Sequence, residues 1–376
     1  MHRRTALKLP LALGAGVMLA RMPSAHAAPN RWSAEQANRW YRAQGWLVGS
    51  NYVPATAINQ LEMFQPGTFD ARRINTELNW ARLCGFNTMR VFLHDQLWAA
   101  DKRGFTTRLS QFLGIAARNR IKPMLVFFDS CWDPHPKAGQ QPAPRRGIHN
   151  SGWAQSPGAD RIDDKAYRAV LRDYVTSVMT QFKNDDRVLA WDVWNEPDNM
   201  AKQYASVERS DKLTQVADLL PQVFSWARSV GVRQPITSGV WDGSWSDPSG
   251  LTEIQGVQLT NSDVITFHSY DHPTGFSNRI DELEPTGRPI LCTEYMARQE
   301  GSTVQGILPV AKRRNVGVYN WGLVAGKSQT YYPWDSWDSP YSSIPKVWFH
   351  DLLRPDGKPH QNAEIQTVQR LTGRLS

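Results

Sequence analysis

Eight short runs of apolar, β-branched and aromatic residues recur along the chain, most of them followed by a stretch with apolar residues at helical spacing. The runs lie at 47–53, 88–93, 124–128, 188–194, 236–240, 264–267, 290–293 and 316–321. Near-continuous apolarity marks strands covered on both faces, as in a parallel sheet; a strand with one wet face would alternate. Eight strand-helix units predict an α/β fold, a (β/α)8 TIM barrel with long mouth loops. An open, doubly wound sheet is the competing arrangement, but the count of eight and the lack of a Gly-x-Gly-x-x-Gly turn after the first run favour closure.

Helices are expected over 70–84, 106–119, 163–182, 212–230, 303–314 and 363–371, with Asp70, Asp163 and Ser302 placed to cap exposed first amides. The fifth unit is the weakest, because after Val240 the chain is rich in Trp, Asp, Gly, Ser and Pro up to Gly250. The proline-bearing stretch 129–161 reads as a long rim loop, and loops of that length are usually functional or mobile.

Residues 1–27 have the three parts of an export signal: Arg3-Arg4, an apolar stretch over 9–20, and Ala25-His26-Ala27. The apolar part is too short and too Gly-broken to span a membrane. Arg3-Arg4-Thr5-Ala6-Leu7-Lys8 is similar to the twin-arginine signal, which predicts export of a folded protein to the periplasm or beyond the cell. Residues 28–376 are then expected to form one barrel domain. The net charge of +8 falls to +4 without Arg3, Arg4, Lys8 and Arg21, and the basic residues form no stripe, which argues against a nucleic-acid partner. Cys84, Cys131 and Cys292 are odd in number and lack Cys-x-x-Cys spacing, so they suit neither a zinc site nor a disulfide framework.

The run 188–194 ends in Asn195-Glu196-Pro197, where Pro197 cannot donate to a sheet ladder, so the strand stops and leaves Glu196 at its rim. The run at 290–293 likewise delivers Glu294. Carboxylates at the carboxyl ends of barrel strands are where such folds keep their chemistry. Ends of the fourth and seventh strands face one another across a barrel mouth. Paired carboxyls suit glycosidic-bond hydrolysis, which needs one group held protonated for the leaving oxygen and one ionised to attack or to activate water.

Several motifs together resemble clan A glycoside hydrolases, closest in pattern to family 5, the cellulase, mannanase and β-glycosidase group. They are Gly85-Phe86-Asn87-Thr88-Met89-Arg90, Trp194-Asn195-Glu196-Pro197, His268-Ser269-Tyr270, Glu294 and Asn320-Trp321-Gly322. The resemblance implies a retaining hydrolase of β-linked glycans, of gluco, manno or xylo configuration, with Glu294 as nucleophile and Glu196 as acid/base. It also implies that Arg90 bonds the nucleophile, Asn195 touches the sugar 2-hydroxyl, His268 and Tyr270 line the site, and Trp321 stacks under the sugar. Arg90 beside Glu294 should depress its pKa while a more apolar Glu196 stays protonated. The chain departs from the family where a third-strand histidine is usual: here stands Phe127-Phe128-Asp129, so Asp129 or His94 is expected to supply polar contacts to the nonreducing sugar.

The implied substrate is an oligo- or polysaccharide, with no cofactor and no metal; His94-Asp95, Asp133-Pro134-His135 and Asp271-His272 repeat no metal-binding pattern. Gly322 to Ser328 looks like a phosphate loop but is one residue short and follows the last strand. Of the 16 tryptophans, Trp98, Trp132, Trp153, Trp241, Trp245, Trp334 and Trp337 fall on expected mouth loops, where indole faces can stack on sugar C–H faces. Besides Trp321, one or two of them are expected in the cleft. A transglycosylase acting on envelope glycans and a barrel that binds sugar without turnover are the alternative readings.

Overall fold

A computed structural model describes residues 30–374; the expected export signal at 1–27 lies outside them. The strands are β1 (Val48–Asn51), β2 (Thr88–Phe92), β3 (Lys122–Asp129), β4 (Ala190–Asn195), β5 (Ile236–Thr237), β6 (Ile265–His268), β7 (Ile290–Tyr295) and β8 (Gly317–Trp321). All pairings are parallel, in the order β5-β4-β3-β2-β1-β8-β7-β6. β5 and β6 meet beyond the end of β5, where Val240 N donates to Thr266 O at 3.1 Å and His268 N to Val240 O at 3.0 Å. The barrel is therefore nearly closed, and its thinnest staves adjoin the fifth unit, where β5 has only two residues.

A helix of nine residues or more follows every strand: Ala71–Cys84, Lys102–Arg118, Tyr167–Phe182, Lys212–Ser229, Glu253–Asn261, Pro273–Leu283, Val304–Arg313 and Asn362–Leu371. Asp70 caps the first, accepting from Arg73 N. Asp163 and Ser302 cap nothing. The third helix starts at Tyr167, where Asp164 Oδ1 takes the amides of Ala166 and Tyr167 while Asp163 pairs with Arg209 at 2.7 Å. Thr303 caps the seventh helix, and Ser302 Oγ instead accepts from Met296 N at 3.2 Å. The helices at 253–261 and 273–283 were not foreseen; the first opens on a Thr252/Gln255 capping box and the second on Pro273, whose fixed φ suits a first helical position.

The helix Ala34–Gln44 precedes β1 and plugs the amino end of the barrel. Its Ala37 and Tyr41 pack with Leu47, Met124, Leu189, Val264, Leu291 and Tyr319, which are drawn from the beginnings of the strands. That leaves the carboxyl end as the open one. There the long loop after β3 is tied back to its strand, since Asp129 and Ser156 exchange both backbone hydrogen bonds, at 2.6 and 2.9 Å. The loop is thus an ordered part of the rim. No helix among the described residues is long and apolar enough to cross a membrane.

Candidate active site

Arg90 of β2 is completely buried and organises the barrel mouth through five hydrogen bonds. Nε and Nη2 donate to Asp192 Oδ2 at 3.0 and 2.7 Å, Nη1 to Glu294 Oε1 and Asn51 Oδ1 at 3.0 Å each, and Nη2 to Asn195 Oδ1 at 2.7 Å. One guanidinium thereby fixes groups from β1, β4 and β7. A fork of charge-assisted bonds specifies geometry as well as binding, which a lysine could not reproduce.

Glu294, near the end of β7, accepts on both oxygens: Oε1 from Arg90 and Oε2 from Tyr270 Oη at 2.8 Å. Glu196 stands just past β4 with a left-handed backbone, φ +41°, a conformation that costs a non-glycine residue about 1–3 kcal/mol and concentrates at functional sites. Its Oε1 lies 2.7 Å from His268 Nδ1, while Oε2 accepts from Asn199 Nδ2 at 2.6 Å and from the Cys131 thiol at 3.1 Å. His268 Nδ1 is also 3.6 Å from Glu294 Oε2, so the ring sits between the two carboxyls. Ligand atoms of Glu196, His268 and Glu294 all lie within 4.8 Å of one another. Such a trio can hold a cation in principle, but Arg90 and Tyr270 already occupy both oxygens of Glu294, and the guanidinium repels a metal there.

Burial is the main electrostatic influence at every one of these groups. It raises both glutamates above the ordinary carboxylate range, Glu294 to about 7 with Glu196 adding repulsion, and lowers His268 to about 4, so that the imidazole is neutral. The expected depression of Glu294 by Arg90 is outweighed, for a visible reason: Arg90 makes two of its five bonds to Asp192, which already balances its charge. Two raised carboxyls this close titrate as a pair sharing a proton. Glu196 accepts from Asn199 and Cys131, which are neutral donors, whereas Glu294 has the cationic Arg90 at 3.0 Å besides Tyr270; the cation favours charge on Glu294 and leaves the shared proton to Glu196.

Asn195, Glu196, His268, Tyr270, Glu294 and Trp321 line one cavity of about 680 Å³, within the usual size of small-ligand sites. Arg90 lies beneath that wall. Asp129 does too: it holds the indole N–H of Trp153 at 2.6 Å and Asn195 Nδ2 at 2.9 Å, orienting two groups that do face the cavity. His94 is set apart, buried as the cap of the helix Asp95–Ala100, with Nδ1 accepting from Gln96 N. Trp132, Trp153, Trp241 and Trp334 join Trp321 in the lining, more than the one or two expected. Trp98 and Trp245 are buried, their indole N–H groups on Asp173 and on the Asp242 carbonyl. The stretch from Gly322 to Ser328 forms no phosphate cradle: Gly326 packs so tightly on Ala55 that an added Cβ would lie 2.4 Å from its Cα.

Asp192, Cys131 and Asn199 were not anticipated. Asp192 carried a signal, since a charge inside an apolar strand run must be buried against a partner. Cys131 and Asn199 sit on irregular loops, where no periodicity betrays a side chain's direction.

Comparison with known proteins agrees with this geometry. The model of the Cellulase family, glycosyl hydrolase family 5, matches residues 84–328, well over half of the chain. Curated proteins give no significant match. Among solved structures, a GH5_18 variant from Streptomyces cattleya in complex with Manβ1-4GlcNAc is 11% identical, with TM-score 0.59 over 87% of this chain and 80% of that one. The exo-β-1,4-mannosidase Op5Man5 from Opitutaceae bacterium strain TAV5 is 17% identical, with TM-score 0.58 over 88% of this chain and 60% of that one. A β-1,4-D-mannanase from Cryptopygus antarcticus is 14% identical, with TM-score 0.58 over 88% and 90%. The chain belongs to glycosyl hydrolase family 5 and is an O-glycosyl hydrolase acting on β-glycans.

Proposed function

We propose that this is an exported, retaining exo-β-glycosidase that removes terminal β-mannosyl residues. The observation that carries the retaining mechanism is the approach of Glu196 and Glu294, whose nearest ligand oxygens lie within 4.8 Å. Retaining pairs stand roughly 5–5.5 Å apart, whereas inverting pairs leave about 6.5–9.5 Å for a water. An oxygen of Glu294, held by Arg90 and Tyr270, attacks the anomeric carbon as the glycosidic bond breaks, and the Glu196 proton passes to the departing oxygen. Glu196 then takes a proton from water, whose oxygen displaces the Glu294 carboxylate. Asn195 meets the 2-hydroxyl and Trp321 lies under the ring.

Exo action is supported by the packing at one side of the mouth, where loops after β3, β4 and β8 are joined. Trp337 stacks on Trp132 at 5.2 Å, meets Tyr204 edge-on at 5.5 Å, and donates its indole N–H to His149 O at 2.8 Å. A mannosyl substrate is supported by the mannosidase and mannanase named among the structural neighbours. Export rests on the Arg3-Arg4 segment.

The test is product analysis on β-1,4-manno-oligosaccharides. Mannose is expected as the first product, appearing as the β anomer before mutarotation in time-resolved NMR; α-mannose first, or internal fragments, would overturn the proposal. Trp337→Ala, which removes the pin of the wall, is expected to admit longer chains and add internal fragments to that product pattern. An unchanged pattern in a folded variant would place the exo constraint elsewhere.

A further inference from the structure

His149, from the loop after β3, and His350, from the segment after β8, both line the cavity, yet neither has a part in the chemistry above. They are only 2% and 1% exposed, with ring centroids 5.3 Å apart. Each Nδ1 faces a backbone carbonyl: that of Tyr332, at 2.8 Å, for His149, and that of Met296 for His350. A carbonyl oxygen only accepts. Nδ1 must therefore carry the hydrogen in each ring, and Nε2 is left as a bare acceptor.

No protein group among the described residues bonds either Nε2. Burial lowers both rings below the usual histidine range, His149 to about 4, which keeps those lone pairs free at neutral pH. Two neutral acceptors side by side, with no hydrogen of their own to offer, suit a ligand that brings O–H donors, and they disfavour a carboxylate or sulfate.

Their position says which part of the ligand. The His350 ring is 5.6 Å from Tyr270, the phenol on Glu294, and 5.9 Å from Trp334. The His149 ring is 5.7 Å from Trp132, which stacks against Trp337 in the closed wall. The pair thus lies between the nucleophile's phenol and the closed side. We infer that His149 and His350 read two hydroxyls of the terminal, neutral sugar, accepting a hydrogen bond from each, and so set which sugar is cleaved. This inference rests on the exo reading above.

The experiment is a cycle of His149→Ala and His350→Ala against an aryl β-mannoside and its 2-, 3-, 4- and 6-deoxy analogues. Each variant is expected to lose about 10- to 100-fold in kcat/KM on the parent sugar. On the single analogue lacking the hydroxyl it reads, it should lose almost nothing further. An equal loss on all analogues would make the rings structural and overturn the inference. If a variant fails to fold, the wild-type enzyme alone decides: with the 2-hydroxyl already met by Asn195, two of the 3-, 4- and 6-deoxy analogues should each cost tenfold or more beyond the third, and a flat response across those three refutes the pair.

The same cycle is to be read by tryptophan fluorescence with 1-thio-β-mannoside and its deoxy forms. A protein that binds these with the expected coupling but turns nothing over keeps this inference and loses the proposed reaction. Absence of any binding overturns the inference itself.

Discussion

Glu294→Ala is expected to lose on the order of 10⁴-fold or more in kcat, because in the proposed double displacement no other group forms the bond to the anomeric carbon. Glu196→Ala should lose about 10²–10⁴-fold on substrates whose leaving oxygen needs a proton. With a dinitrophenyl leaving group, which departs without one, the first step of Glu196→Ala should run nearly normally and the covalent intermediate should accumulate. Azide separates the two roles. In Glu196→Ala it attacks the glycosyl-enzyme from the face the acid/base occupied and gives the β-glycosyl azide. In Glu294→Ala it takes the place of the missing carboxylate and gives the α-glycosyl azide. Exchange of those anomers would exchange the two assignments, and near wild-type turnover by Glu294→Ala would end the double-displacement mechanism.

The barrel was legible because burial on both faces writes itself into a strand as unbroken apolarity, and all eight runs became staves. The fifth run was also the one whose following residues least resembled a strand-helix unit, and β5 is the shortest stave. Glu196 could be placed because Pro197 ends the ladder before it, and Glu294 because a second short apolar run also delivers a glutamate. Direction beyond a strand end was not legible. His94, Asp129 and Arg90 are equally polar in a list of residues, yet one caps a helix, one holds Trp153 and Asn195 from below, and one organises the centre. The same holds for Cys131, Asn199, His149 and His350, which irregular loops bring to the cavity. Glu294 titrates above the expected range because its burial, with Glu196 close by, outweighs Arg90, whose charge is shared with Asp192, hidden inside the apolar run of β4.

Arg90→Met is expected to destabilise the fold by about 3–5 kcal/mol, the usual cost of removing one partner from a buried ion pair. The loss would come less from the bonds themselves than from what remains: Asp192 and Glu294 are buried carboxylates that would then face no cation. Chemical denaturation should show it as a lower midpoint with an unchanged slope. The deficit should shrink as pH falls. Burial already raises both folded-state pKa values, so the native state binds protons that the unfolded chain does not, and stability falls with rising pH through that range. Arg90→Met combined with Asp192→Leu removes both charges of the tighter pair and should recover much of the stability, since apolar replacements of a buried pair are often neutral. Activity should stay lost in the double variant, because Glu294 Oε1 and Asn195 Oδ1 would both lack the donor that aims them. Recovery of activity along with stability would mean that Arg90 serves the fold alone, and that Tyr270 suffices to hold the nucleophile.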